Sequence, residues 1–248
     1  MNAVVSPVHA PLDQLLHLAD NALVLGQRNA EWCGNGPVLE EDIALANMSL
    51  DLIGQARMLY QHAATVSGDG ATEDSLAYFR DAGEFRNFTL LELPHASSRS
   101  ERDYAVTIVR NFLYSAFMLL QWEALKASSD AQLAAIAGKS LKEVAYHFRH
   151  SRDWLVRLGD GTAESHERTQ AALNQLMPYT AEFWTGVDAP LHALWDELVN
   201  DALKEAALAR TSTPVIPPRG RTGQHSEHLA PLLADMQSLA RAHPHALW

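Results

Sequence analysis

Among its 248 residues the chain has a single cysteine, Cys33. One thiol excludes an intrachain disulfide framework, and it excludes any zinc or iron–sulfur site built from several thiolates. A reducing, cytoplasmic setting is the expectation. Basic residues are also scarce: 19 Lys and Arg stand against 30 Asp and Glu, a net charge of −11. A general nucleic-acid binder needs a basic face for the phosphates, and a polybasic membrane anchor needs one for anionic lipid. Neither class is expected. Long apolar runs are missing too. The stretch from Phe112 to Trp122 is bounded by Arg110 and Glu123 and falls far short of the ~20 residues of a bilayer span. Residues 1–11 lack the basic start and apolar run of a signal peptide, and they read as a flexible lead-in.

β-branched residues are few. Val and Ile number 18 together, against 38 Ala and 35 Leu. Ala and Leu favour helices, whereas Val and Ile favour strands, so the fold class is all-α. Phosphate-binding and nucleophile-elbow patterns are absent: the chain has no Walker A motif, no G-x-G-x-x-G and no G-x-S-x-G.

Apolar spacing predicts helices over 12–32, 39–66, 100–127 and 131–158. Pieces of helix and loop fill 67–99. Further helices follow over 162–184, bent or restarted at Pro178, over 189–209, and over 226–242 after a Pro-rich loop at 211–222. The four long helices form two pairs with short turns, and a long segment joins the pairs. Two antiparallel hairpins linked by one crossover is the ferritin-like four-helix arrangement. The bundle core is placed at 12–158, with a C-terminal helical extension at 162–248, in one domain.

Such bundles hold two irons when two helices each supply a Glu and the other two each supply Glu-x-x-His, whose i, i+3 spacing sets both groups on one face. Of the 12 histidines, only His95 has an acidic residue three places earlier, Glu92, and Pro94 lies between them. In the second helix Leu52 and Gln55 stand where Glu and His would stand. In the fourth, Glu143 would pair with Tyr146, or Val144 with His147, and neither register gives the motif. In the third helix Tyr114 to Phe117 fill the middle, where a carboxylate is expected. The degenerate ligand positions are thus Leu52, Gln55, Val144 and Tyr146, and the chain is expected to hold no metal of its own.

Other polar groups have a chemical and a structural reading. Glu143, His147 and His150 share one helical face that Asp51 could oppose, as a non-standard metal or acid–base site or as a polar network; the network is preferred. His225, Ser226, Glu227 and His228 look like a ligand cluster, but Ser226 as N-cap with Glu227 in the first turn explains them as a helix start. Cys33 is expected to be a small, semi-buried residue, since no histidine is placed to activate it.

Several motifs together resemble one family. They are Glu31-Trp32-Cys33-Gly34, Asp42 to Asn47 running on to Leu50–Arg57, Lys142 to Ser151 with Trp154 to Thr162, and Gly223 to Leu233 with Met236. In these the chain is similar to the C-subunit family of the phenylacetyl-CoA 1,2-epoxidases of aerobic phenylacetate breakdown, from about residue 12 onward. The resemblance implies a ferritin-like structural subunit without catalytic residues. It implies a homologous A subunit as partner, holding the di-iron centre and the CoA substrate. A reductase component would bring electrons from NADPH, and dioxygen would supply the epoxide oxygen. An isolated chain could form a homo-oligomer.

Overall fold

A computed structural model describes residues 8–95, 102–187, 189–210, 216–217 and 219–246. Among the described residues the regular structure is entirely helical. Helix α1 is Leu12–Ala30, α2 is Leu39–Ser67, α3 is Glu73–Tyr78 and α4 is Thr89–Glu92. Helix α5 is Tyr104–Leu125, α6 is Ala131–Gly159, α7 is Ala163–Leu176, α8 is Ala189–Glu205 and α9 is Leu229–Ala242.

α1 and α2 form one hairpin, and α5 and α6 form the other. The hairpins face each other with opposite sense. Asp51 and Gln55 of α2 meet His147 and Glu143 of α6 in reverse order, and Trp32 and Asn29 meet Thr107 and Asn111 of α5 in the same way. This is the ferritin-like bundle. Its helix ends follow local chemistry. Glu40, Glu41 and Asp42 occupy the first turn of α2, where carboxylates suit the helix dipole. Gly68 closes α2 at φ +67°, a conformation that glycine adopts without strain. Asp130 caps α6 by accepting the N–H groups of Gln132 and Leu133, each at 3.0 Å.

α5 is buried on nearly all sides from Ala105 to Met118, because α7 and α8 cover the face that a bare bundle would leave to water. Trp195 of α8 is fully buried and donates its indole N–H to the Leu113 carbonyl at 3.2 Å.

Several predicted boundaries move. α5 begins at Tyr104, where Asp103 accepts the Ala105 N–H, and residues 96–101, including the predicted start, lie outside the described residues. α7 ends at Leu176 and tightens into a 3-10 turn, Met177–Trp184, with Pro178 in its first turn. α8 stops at Glu205, because Ala207 adopts φ +55°. Residues 1–7 of the predicted lead-in, and 211–215 with 218 of the predicted loop, lie outside the described residues.

Candidate functional site

The level of the bundle where ferritin-like proteins place metal is set by α2 and α6. Leu52, Gln55 and Val144 are buried there, but Tyr146 is 38% exposed. The register on α6 is therefore Val144 with His147, not Glu143 with Tyr146, and His147 is the buried imidazole. The expectation for Tyr146 is corrected: it turns outward and lies against the rings of His147 and His150. From α5, Tyr114, Ser115, Ala116 and Phe117 are all buried. Burial drives the Tyr114 phenol well above its ordinary pKa, so it stays neutral.

The remaining polar groups divide into separate pairs. His147 Nε2 lies 3.0 Å from Asp51 Oδ2, and Gln55 donates to Glu143 at 2.9 Å. His150 Nε2 lies 2.8 Å from Glu41 Oε2, which also accepts the Tyr104 hydroxyl at 2.5 Å. Asp51, Glu143, His147 and His150 thus fall into three separate pairs, Asp51 with His147, Glu143 with Gln55 and His150 with Glu41, and their ligand atoms do not meet at one point. Among the described residues, one set of His, Cys, Asp or Glu ligand atoms lies mutually within 4.8 Å: His9, His62 and Asp130. Asp130 is already saturated. Its Oδ2 accepts the Ala10 N–H and faces His62 Nε2, both at 2.7 Å, while Oδ1 caps α6. A carboxylate has about four lone-pair sites, and all four are taken. These donor sets suit hydrogen bonding between helices, not a di-iron centre.

A second polar system, missed from sequence, ties distant segments together. Glu92 is fully buried. Its Oε2 accepts from Asn87 at 3.1 Å and from His225 Nδ1 at 2.9 Å, and its Oε1 accepts the Ser226 N–H at 2.6 Å. His225 Nε2 donates to the Phe85 carbonyl at 3.0 Å. Glu182 acts in parallel, accepting from Thr89 N–H at 2.8 Å and Gly220 N–H at 2.6 Å. The helix-start reading of residues 225–228 is accordingly corrected. α9 begins at Leu229 with His228 at its N-cap position; the Ser226 hydroxyl accepts the His228 N–H at 3.2 Å, and the Ser226 carbonyl accepts the Leu229 N–H at 3.4 Å. His225 instead turns inward to Glu92, which no sequence spacing could indicate.

His95 is also buried. Its Nε2 donates to the Arg28 carbonyl at 2.8 Å, and its Nδ1 lies 2.6 Å from Thr107 Oγ1. Burial, then the charge of Arg110, holds its pKa well below the ordinary value. Glu92 does not pair with it. Cys33 is exposed rather than semi-buried. Trp32 takes the inward position of that turn, donating to Thr107 Oγ1 at 2.9 Å, and so directs its neighbour outward.

This geometry is a ferritin-like bundle in which, among the described residues, α2 and α6 bring no Glu-x-x-His pair inward. The sequence profile of the phenylacetic acid catabolic protein family matches residues 6–248. The chain belongs to that family. The C subunit of the 1,2-phenylacetyl-CoA epoxidase of Escherichia coli (strain K12) is 41% identical over 247 residues, covering 94% of this chain and 97% of the relative. The segments that carry the resemblance occupy different parts of the fold. Gly223–Leu233 holds the His225 clamp, while Leu50–Arg57 and Lys142–Ser151 form the facing stretches of α2 and α6. Among the described residues no helix is long and apolar enough to cross a membrane.

Proposed function

We propose that the chain is a non-catalytic structural subunit of a phenylacetyl-CoA 1,2-epoxidase, working in the cytoplasm. In this reading it pairs with the homologous A subunit, which holds the di-iron centre, and a reductase component delivers electrons from NADPH. The observation that carries the reading is the set of inward groups on α2 and α6. Leu52, Gln55, Val144 and His147 offer one imidazole and no carboxylate, and the nearby carboxylates of Asp51 and Glu143 are engaged pairwise. Iron that activates oxygen needs carboxylate and imidazole converging with open positions. The identity to an epoxidase C subunit over nearly the full length of both chains supports the assignment to that complex.

The test is iron content after expression in iron-rich medium, for the chain alone and for the chain purified with the A subunit. The expected result is iron near zero alone and about two per heterodimer. Stoichiometric iron in the lone chain, or epoxidation by the lone chain with reductase, overturns the proposal.

A further inference from the structure

Three ligand groups from separate segments converge at the end of the bundle where α2 finishes and α6 begins. His9 lies in the lead-in before α1, His62 in the last two turns of α2, and Asp130 at the N-cap of α6. One ligand atom from each lies within 4.8 Å of the other two. His62 Nε2 is 2.7 Å from Asp130 Oδ2, and His9 Nδ1 is 4.0 Å from the same oxygen. The two imidazoles meet edge to face, at 61° with centroids 5.7 Å apart, so both can turn a nitrogen to one point without stacking on each other.

We propose that His9, His62 and Asp130 form a site for one zinc-type divalent cation, which pins the lead-in to both hairpins of the bundle. The inference is independent of the structural-subunit reading. The site lies seven residues along α2 from Gln55, about 10 Å at 1.5 Å per residue, so it is no part of the bundle core where a di-iron centre would sit. Donors of a tetrahedral zinc ion, at about 2.0–2.2 Å from it, stand about 3.3 Å apart. Reaching that spacing from the observed contacts takes shifts of about 0.6 Å at His62 and about 0.7 Å at His9. The His9 side chain is 38% exposed, which gives it that freedom and gives the ion a way in. His62 and Asp130 are buried and already aimed at each other. The four contacts of Asp130 do not exclude the ion, because it replaces one of them. Nε2 of His62 and Oδ2 of Asp130 now share a proton, and with His62 in the tautomer protonated on Nδ1 they share the cation instead. The Ala10 N–H and the α6 cap keep the other three lone pairs, and such outer contacts hold a ligating carboxylate in orientation. Two imidazoles and one carboxylate, with water in the fourth position, suit zinc, whereas calcium and magnesium take oxygen ligands. Among first-row dications a site of this kind ranks zinc above iron(II).

The experiment uses the full chain, stripped with a chelator and titrated with zinc chloride by calorimetry, with Tm followed in parallel. The expected result is one zinc per chain and a Tm that rises with zinc concentration. His9→Ala removes an exposed ligand and leaves the α6 cap in place, so its metal-free circular dichroism and Tm should match the parent. Its zinc affinity should fall at least about 10-fold, the smallest loss typical even of outer-shell partners. His192→Ala, which removes a half-exposed imidazole beside Asp196 on α8, should leave the affinity within about two-fold, as a distant and independent site. Cobalt(II) loaded in place of zinc should show the visible absorption of a four-coordinate ion in the parent and lose it in His9→Ala. A parent that takes up no zinc overturns the site. Zinc that binds His9→Ala as tightly as the parent, or that depends on His192 as much as on His9, is an adventitious surface ion only and also overturns it. Each of these outcomes leaves the structural-subunit reading intact. Iron that the lone chain retains after His9→Ala lies elsewhere in the bundle, and it overturns that reading without touching this site.

Discussion

Glu92 and His225, 133 residues apart, meet at 2.9 Å with both side chains shielded from water. Both imidazole nitrogens face acceptors, Glu92 Oε2 and the Phe85 carbonyl, so the ring is held as an imidazolium. Burial opposes that charge. The hydrogen bond from His225 to Glu92, the Glu92 charge and the Phe85 carbonyl outweigh it, and the pKa of His225 is raised. A raised folded-state pKa gives stability that is complete below the ordinary histidine value and is lost as pH climbs through the raised one. Urea midpoints of the parent are therefore expected to fall, relative to His225→Gln, as pH climbs above the ordinary histidine value of about 6.5. At pH 6 that variant should be destabilised by about 2–4 kcal/mol, because Glu92 is left buried and unpaired. A flat difference across the range would contradict the imidazolium assignment.

Asp130 shows the opposite sign. Burial favours its neutral form, but the Ala10 N–H, His62 and the Leu133 N–H stabilise the carboxylate and hold its pKa down at about 2. Its contribution is complete above the unfolded value and disappears as pH falls from about 4 to 2. Asp130→Asn is expected to cost about 1–2 kcal/mol at neutral pH, through the His62 contact and a weakened cap. Acid titrations followed by circular dichroism should show the two proteins converging toward pH 2.

Two glycines give contrasting outcomes. A Cβ on Gly220 would sit 2.0 Å from the Asn87 carbonyl oxygen and 2.9 Å from Glu182 Oε1. Backbone blocks it, so Gly220→Ala should lower stability by about 2–4 kcal/mol. Gly138 lies inside α6, and a Cβ there meets nothing within 4 Å. Gly138→Ala should raise stability by about 0.5–1 kcal/mol. Scanning calorimetry would register a fall of roughly 5–10 °C for the first and a rise of roughly 2–3 °C for the second.

The bundle was legible in the sequence because its four long helices are amphipathic or uniformly apolar, and their periods are local properties. The segment between the hairpins was not legible, because tertiary polar contacts organise it. Asp20 of α1 pairs with Arg80 and accepts the Arg86 N–H at 2.7 Å, and Asn21 accepts the Phe88 N–H at 2.7 Å. An aspartate inside an apolar helix was the available signal, but its partners lie 40 to 66 residues away. The inward register of α6 was undecided for a related reason. Tyr146 and His147 are neighbours with similar amphipathic character, and only the position of α2 sends His147 inward. The motif at residues 225–228 was misassigned because a buried His–Glu pair leaves no period to read.

Variants of the polar pairs between α2 and α6 test the proposed structural role against a catalytic one. His147 is buried against Asp51, whose side chain is 36% exposed, and Glu143 receives Gln55 from the other helix. As hydrogen bonds between helices, each contributes on the order of 1 kcal/mol. Asp51→Asn, Glu143→Gln and His147→Gln should then each lower stability by about 0.5–1.5 kcal/mol. In a complex reconstituted with the A subunit and reductase, each should leave kcat for NADPH-dependent phenylacetyl-CoA epoxidation within about two-fold. Removing a general acid or base typically costs 10²- to 10⁴-fold, roughly. A loss of that size in any of the three, at unchanged heterodimer content, would make the α2–α6 seam part of the chemistry. Retained kcat with a lowered unfolding midpoint is the expected result, and it would confine these groups to holding the bundle in register beside its partner.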